Sequence, residues 1–530
     1  MSLQIPNCHI SEVEEGGSLL ASDRAKLVPA FYSIVFSGAA LAMPAIALAR
    51  ALLNLRSEYY ISFGDGAYVN GAWLTLASDF SHGILYRPLF GPLGYGGTRF
   101  FPLYFVLTGF ISKFRLSLET SGLLLSIISV ILLATSCYFL LQRLDVPFVL
   151  GVAALAAVFV AGTTLEALLK TKGDGLAAML NLWGLALCIS PKPKRELLFL
   201  PATFFTLAFA AKLTTVFGFL AVFLYWLFSQ RRREAWRLAL WTVCGYGLVL
   251  CAIYWESSGR AFEIFRECVV SGATLTSVLY GPFKLAGVAY EADPVMLFFL
   301  IPCAAMAIAY VREPAIRLLA TYFALVFLVT SVIFGTQGTF VNHLIDLHIA
   351  AVLLLTLLVS SFPEIRDVGK GIMALSLLVG SVPRMHDLRK DLGRASHAET
   401  SRRILKLVPE DGRPLLSQNP LWALKSGQRP YLMDAFMFRV ITGKRPALGK
   451  DMWDMIKRRG FSGIILDADP TSEFGKRWYG EMEMGGEFLE DLDANYSFRA
   501  NPEGLYVYLP RQGPEASSRK ISARPGFDAR

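Results

Sequence analysis

The feature that most constrains this chain is a series of eleven mainly apolar stretches, beginning near residues 28, 119, 148, 175, 196, 213, 236, 294, 315, 343 and 370. A helix that crosses the hydrocarbon of a bilayer needs about 20 such residues. Composition agrees: 54% of the 530 residues are hydrophobic and 18% charged, and mean hydropathy is +0.46, whereas soluble domains carry about a quarter charged residues. The expected fold class is therefore an all-α polytopic membrane domain of about 11 transmembrane helices, followed by a C-terminal α/β domain. Of the 7 cysteines, Cys137, Cys188, Cys244, Cys251 and Cys303 lie inside apolar runs, so no disulfide framework is expected.

The net charge of +9 does not point to a nucleic-acid partner, because the basic residues are dispersed over short loops, and there they set orientation. Arg143, the group Lys192, Lys194 and Arg195, the cluster Arg231 to Arg233 with Arg237, and Arg312 with Arg317 follow the second, fourth, sixth and eighth runs. Arg24 and Lys26 precede the first. Those loops and the N-terminal tail, 1–27, are expected to be cytoplasmic. No cationic leader with a cleavage site is read at the N-terminus. The intervening loops, and the region after an odd number of spans, then face the exterior of the plasma (inner) membrane, which for a bacterial chain is the periplasm.

The polar interruption from Arg56 to Tyr104 lies in the first exterior loop, 53–118, and carries Phe63-Gly64-Asp65-Gly66. It is too rich in Gly, Pro and Tyr for a span and too aromatic for a disordered linker, so an ordered functional loop is expected. The apolar run Phe100 to Ile111 is short for a crossing and is read as a helix in the membrane interface. The membrane domain is expected over 28–384, the exterior domain over 385–512 and a disordered basic tail over 513–530. In the exterior domain the sequence predicts helices at His397 to Leu407 and Asp451 to Arg459. It predicts strands at Pro414 to Ser417, Pro430 to Met433, Phe461 to Leu466 and Gly504 to Leu509.

Chemistry-bearing residues are few. Asp65 sits between glycines just past the first span, where it either ends the span as an Asx-type turn or presents a carboxylate to the bilayer surface. Asp174, in Lys170-Thr-Lys-Gly-Asp-Gly175, opens the fourth run as a helix cap, a reactive acid, or both. Lys212 interrupts an apolar stretch, where a charge costs on the order of 2.5 to 3.5 kcal/mol near a helix centre; it either snorkels or meets a lipid phosphate. Asn342 and Asp346 stand one turn apart at the start of the tenth run, and an acid there is a functional residue by default. Lys172 and, in the first loop, His82, Arg87, Arg99, Tyr86, Tyr95 and Tyr104 are candidates for a polar groove, or for anchors in the headgroup layer. His82 and His343 with Asp65 and Asp174 are ligand types for a divalent metal, although their spacing does not support one. No P-loop, HExxH, paired CxxC or GxSxG is present.

Taken in order, the first-loop acid, the Tyr- and Pro-rich continuation ending in FFPLYF, the K-x-D at Lys172 to Asp174, the lysine hairpin at Lys212 and the N-x-x-x-D at Asn342 to Asp346 resemble the GT-C membrane glycosyltransferases. Within them the chain resembles the bacterial branch with protein O-mannosyltransferases and aminoarabinose lipid A transferases. PLLSQNP, RPYLMDAF and SGIILD resemble their exterior domain. The resemblance implies transfer of a hexose or pentose, with inversion, from a polyprenyl-phosphate carrier to a lipid, glycan or protein acceptor outside the cytoplasm. It also implies catalytic roles for Asp65, as base or acceptor-orienting group, and for Asp174. It implies a donor-phosphate contact for Lys212; Lys172, Arg99, Tyr86, Asn342 and Asp346 are the further candidates for donor-phosphate or substrate binding. Many relatives have Asp-Glu where this chain has Asp65-Gly66, so a second acid is missing there. Two other readings use the same residues: a transporter of lipid-linked substrate that forms no glycosidic bond, and a non-catalytic relative whose exterior domain binds an envelope partner.

Overall fold

The computed structural model describes residues 15–63, 66–189, 197–268, 274–310, 312–336, 338–394, 398–485 and 487–512. Every one of the eleven apolar runs is helical. By length and composition five helices cross a bilayer unaided: Ala30–Ser57, Leu118–Arg143, Arg232–Glu256, Ile316–Phe334 and Val341–Ser361. Two bent pairs raise this to seven, Phe148–Val160 with Gly162–Leu169, bent by 66°, and Leu275–Ala292 with Pro294–Tyr310, bent by 119°. Asp174–Cys188, Phe199–Ala211 and Phe217–Phe228 are apolar but short. The chain is a multi-pass membrane protein. Its long helices carry Leu, Phe and Trp outward, among them Leu41, Leu240, Trp241, Leu248 and Trp255, as side chains facing lipid do.

The run after Arg99 forms a helix, Pro102–Ser112, with Pro102 in its first turn. At 1.5 Å per residue its length is about 16 Å, half of a ~30 Å hydrocarbon layer and too short to cross by itself. It packs on the Ala67–Ser81 and Leu118–Arg143 helices, with Tyr104 and Phe105 fully buried.

The bundle has two distinct ends. At one, Arg143 donates to the Ile189 carbonyl at 3.1 Å, and Tyr310 packs on Phe362 at 4.1 Å between ring centres. At the other, the loop after Ser57 meets the C-terminal domain through Glu58 with Lys425 and Phe63 with Trp422, Gly338 lies against Phe436, and the turn after Leu169 packs on the first loop through Asn70. The last long helix, Pro363–Gly393, runs unbroken past residue 385 and ties the two regions together. Arg50 donates to Asp391 at 2.7 Å and to Asp387 at 3.0 Å, and Tyr60 donates to Asp391 at 2.8 Å.

The C-terminal domain is built on a four-stranded sheet of β3 (Leu415–Ser417), β4 (Gly463–Leu466), β5 (Tyr496–Ala500) and β6 (Tyr506–Pro510) in the order β3-β4-β6-β5. β3 runs parallel to β4, and the other pairs are antiparallel. Alternate residues go to opposite faces: Ile464 and Leu466 pack with Phe488 and Tyr496, while Ile465 packs with Trp422 and Val507. The expected helices appear as Ala398–Leu407 and Lys450–Lys457.

One expected strand is corrected. Pro430 to Met433 does not enter this sheet. It binds the first loop's hairpin, formed by β1 (Phe90–Gly91) and β2 (Gly94–Tyr95). Leu432 bridges Tyr95; Tyr95 N donates to the Tyr431 carbonyl at 2.7 Å, and Met433 N donates to the Tyr95 carbonyl at 3.1 Å. Proline has no N–H to give a central strand, and this short segment finds its partner on another domain. Strand β5 was not among the predicted strands, although Tyr496 to Ala500 alternates apolar and polar residues; three of its five residues are exposed.

Candidate functional site

The charged groups converge where the first loop, the Leu169 to Asp174 turn, the Lys212 turn and the start of the Ile345–Ser361 helix meet. Asp174 opens the Asp174–Cys188 helix, where the unpaired N–H groups and the dipole favour a carboxylate. Lys212 ends the Phe199–Ala211 helix with extended backbone, which turns its side chain across to Asp174. Lys212 Nζ lies 2.7 Å from Asp174 Oδ1, and Asn342 Nδ2 donates to Asp174 Oδ2 at 3.0 Å. Asp174 is thus held on both oxygens. Asp346, one turn beyond Asn342, is 3% exposed, its Oδ1 has no hydrogen-bond partner among the described residues, and its charge acts on Lys212. His343 lies in the field of both Lys212 and Asp174.

A second pair lies alongside. Lys172 Nζ meets Glu166 Oε1 at 2.6 Å, and Lys170 Nζ meets the same oxygen at 3.1 Å. Glu166 was not singled out from sequence, although the Glu166–Lys170 spacing of four is the signature of a helical ion pair. The 66° bend at Ala161 brings Glu166 here. That bend exposes two backbone groups, and both are satisfied: Asp293 Oδ2 accepts from Gly162 N at 2.6 Å, and Arg384 Nε donates to the Val160 carbonyl at 2.8 Å. Asn54 and Asn70 fix the turn itself, Asn54 Nδ2 donating to the Leu169 carbonyl at 2.7 Å and Asn70 Oδ1 accepting from Thr171 N at 3.1 Å.

Asp65 lies outside the described residues, as do Lys192, Lys194, Arg195 and the 513–530 tail. The neighbours of Asp65 are placed. Phe63 packs on Trp422, ring centres 5.4 Å apart, and a Cβ on Gly66 would sit 3.9 Å from Lys170 Nζ. Arg99 also reaches the cluster, with Nη2 donating to the Gly338 carbonyl at 2.7 Å, its guanidinium over Phe436 at 5.5 Å, and its charge acting on His343.

Other first-loop candidates serve the fold instead of a groove. Tyr86 is fully buried, donates to the Phe100 carbonyl at 2.9 Å, and is packed edge-on against Phe105 and Phe265. Arg87, also fully buried, grips Asp79 with both arms at 2.7 and 3.0 Å and donates to the Leu93 and Pro430 carbonyls, clasping the C-terminal domain to the loop. Tyr95 donates to the Leu448 carbonyl, and Tyr104 shares its hydroxyl between Gly122 and Ser126, each at 2.8 Å. His82 is capped on the Ser78 carbonyl at the end of its helix, away from the cluster's elements. An aromatic or basic residue in a polar loop reads the same from sequence whether it lines a cavity or fills one.

For a divalent metal, no three His, Cys, Asp or Glu side chains among the described residues form a ligand set. Asp174 already carries an ammonium and an amide on its oxygens, so the described residues do not fit a resident ion.

No family model and no curated protein matches the chain. Solved structures do. One is ArnT from Cupriavidus metallidurans bound to undecaprenyl phosphate, with TM-score 0.55 and 12% identity over 89% of this chain and 98% of that one. Another is the oligosaccharyltransferase AglB from Archaeoglobus fulgidus, in complex with an inhibitory peptide and a dolichol-phosphate. It has TM-score 0.50 and 10% identity, and covers 89% of this chain and 74% of that one. The fold is that of the GT-C membrane glycosyltransferases.

Proposed function

We propose that this protein transfers a sugar from a polyprenyl-phosphate carrier to an acceptor at the exterior face of the plasma membrane, with its N-terminus cytoplasmic and its C-terminal domain outside. The observation that carries the reading is the Lys212–Asp174–Asn342 cluster at the end of the membrane bundle that the C-terminal domain covers. The GT-C fold, met in structures solved with undecaprenyl phosphate and dolichol-phosphate, supports it.

The chemistry needs a base for the acceptor hydroxyl, a cation for the departing phosphate and shelter from water. Lys212 is the cation. In the resting protein its charge is neutralised by Asp174, and an incoming lipid phosphate, with more acceptor oxygens, takes over the ammonium while Asn342 keeps Asp174 oriented. Lys172 and Lys170, balanced by one carboxylate on Glu166, leave a net positive charge beside it. Arg99 adds a guanidinium from the first loop. Asp65 takes the acceptor proton as the hydroxyl attacks the anomeric carbon opposite the phosphate, so the sugar inverts. Asp346 tunes Lys212 from the far side. The same face accommodates a lipid, glycan or protein acceptor.

The test uses membranes containing the full chain, a radiolabelled polyprenyl-phosphate sugar and mass spectrometry of envelope lipids, glycans and proteins made with and without it. Asp65→Asn is expected to lower transfer about 100-fold or more, the low end of what a general base contributes. Unchanged turnover in a folded Asp65→Asn variant removes Asp65 from the mechanism. Movement of the lipid-linked sugar across vesicles with no covalent product replaces transfer by transport.

A further inference from the structure

The C-terminal domain holds a pocket of about 170 Å³ whose wall includes Arg439, Thr442, Gly443, Trp453, Gly485 and Glu487. Arg439 lies on the Ala435–Lys444 helix, and the neighbouring faces of that helix are occupied: Ala435 and Phe438 pack in the domain's own core, Met437 and Ile441 in that of the membrane bundle. Arg439 and Gly443, four residues apart and so on one face, are left to the pocket. Two glycines make room for the arginine. A Cβ on Gly443 would stand 2.5 Å from Arg439 Nη1, and one on Gly485 would stand 3.6 Å from Arg439 Cδ and 3.7 Å from Trp453 Cζ2. Gly485 has φ +112°, a conformation that favours glycine, and it sits between the arginine stem and the edge of the indole.

The polar groups of this wall are uncommitted donors. Arg439 is half-buried, its Nε is sealed from solvent without a hydrogen-bond partner, and it forms no ion pair among the described residues. Buried polar atoms left so are rare. Trp453 is fixed by ring contacts with Phe438 and Phe488, centres 5.7 and 6.5 Å away, and its Nε1 hydrogen has no acceptor among the described residues. Thr442 spends its hydroxyl hydrogen on the Phe438 carbonyl at 2.8 Å. Glu487, the carboxylate at the rim, is 73% exposed and lies 3.9 Å from Lys457 Nζ, so its charge is already shared. Guanidinium and indole donate and do not accept. The ligand they call for is therefore one that accepts.

We infer that Arg439 and Trp453 form a binding site for the oxyanion, phosphate or carboxylate, of an acidic sugar. The oxyanion pairs with the guanidinium, whose fork matches two oxygens of such a group, and takes the indole N–H as a further donor. The carbon skeleton that bears it rests on the apolar part of the wall, Pro446 and Met484. At about 170 Å³ the pocket is smaller than the ~300 Å³ of a site for a drug-sized molecule, so it holds one acidic residue and not a whole glycan. The inference does not depend on the transfer reading, because none of these residues belongs to the Lys212 cluster.

The experiment is calorimetry on the purified full chain in detergent with three probes: glucose 6-phosphate, glucuronate and glucose. At least one anionic probe is expected to bind about tenfold or more tighter than glucose, the scale of one charge-assisted hydrogen bond, and the tighter of the two names the group. Arg439→Gln is expected to bring all three within about threefold of one another without lowering the melting temperature, since it breaks no bond within the protein. In Lys212→Met/Asp174→Asn the anionic preference should persist. Equal binding of the three probes by the natural chain overturns the inference. So does a preference that survives Arg439→Gln, and its loss in Lys212→Met/Asp174→Asn would then put the anion at the membrane cluster. Should Arg439→Gln not fold, the natural-chain comparison and Trp453→Phe decide the matter: the phenylalanine keeps the ring, loses the N–H and is expected to narrow the preference, and an unchanged preference counts against the site.

Discussion

Lys212 is paired with Asp174, which in the proposed reaction must release it, and this makes its proposed role separable from its contribution to stability. Removing one member of a buried pair leaves an uncompensated charge and costs about 3–5 kcal/mol. Lys212→Met is therefore expected to lower the melting temperature and abolish transfer. Lys212→Met/Asp174→Asn removes both charges and recovers most of the melting temperature, but not transfer, because no cation meets the phosphate; recovery of both by the double variant would show the pair to be purely structural. A second expectation concerns Asp467. Its pKa is raised from 3.8 to about 7 on folding, so between those values the folded state holds a proton that the unfolded state has lost. The contribution is full below about pH 4, shrinks as pH rises and is gone above about 7. Asp434 and Glu483 are shifted in the same direction, chiefly by burial. Thermal melts in detergent from pH 4 to 8 should fall with pH, and less steeply in Asp467→Asn. Lys212, Asp174, Asn342 and Asp346 were legible in the sequence because charged and amide side chains stand out in apolar runs. Asp467 and Glu483 were not, since in a mixed-composition domain an acid looks like surface until its burial is known.

The elements explain how separate charges reach one place. A straight helix over Phe148–Leu169 would carry Glu166 along the bundle axis. The break at Ala161 redirects it, and the break is stable because Asp293 and Arg384 take up the exposed amide and carbonyl. Asp293→Ala leaves the Gly162 amide unpaired, a cost of about 1–3 kcal/mol, whereas Asp293→Asn keeps an acceptor. Transfer kinetics should show kcat reduced in the alanine variant and largely restored in the asparagine one; equal loss in both would assign Asp293 a role through its charge. The docking of the C-terminal domain is equally local. Gly94 has φ +83°, and a Cβ there would collide with the Tyr431 carbonyl, so Gly94→Ala is expected to loosen the hairpin's grip on the domain. Limited proteolysis, with faster cleavage between residues 394 and 435 than in the natural chain, checks this. The helices themselves were readable from the apolar runs, and the Phe100 to Ile111 run is a helix shorter than a span. The segment Pro430 to Met433 was misplaced because its extended character was readable but its partner, on another domain, was not.

At the scale of the whole molecule the arrangement is two-sided, and the sides can be tested without knowing the substrate. The Lys212 cluster, the first loop and the C-terminal domain occupy one end, joined by Arg87 to Pro430 and by Lys425 to Glu58 at 2.6 Å. The contact between Arg143 and Ile189 marks the other end. If basic loops stay cytoplasmic, the first end is exterior and a lipid-linked donor must be presented there. In a background without native cysteines, a membrane-impermeant maleimide applied to intact cells should label Phe498→Cys and Glu256→Cys, both at exposed positions, and leave Gln142→Cys unlabelled until the cells are opened. The reverse pattern would place the cluster in the cytoplasm. The chemistry of Asp174 and Lys212 would survive that inversion, but the acceptor would become cytoplasmic and the exterior assignment of the C-terminal domain would fall. Labelling of all three positions from outside would break the two-ended architecture itself, because Arg143 ends the Leu118–Arg143 helix whose other end adjoins the first loop. The labelling pattern therefore separates the question of which face the enzyme works on from the question of what its charges do.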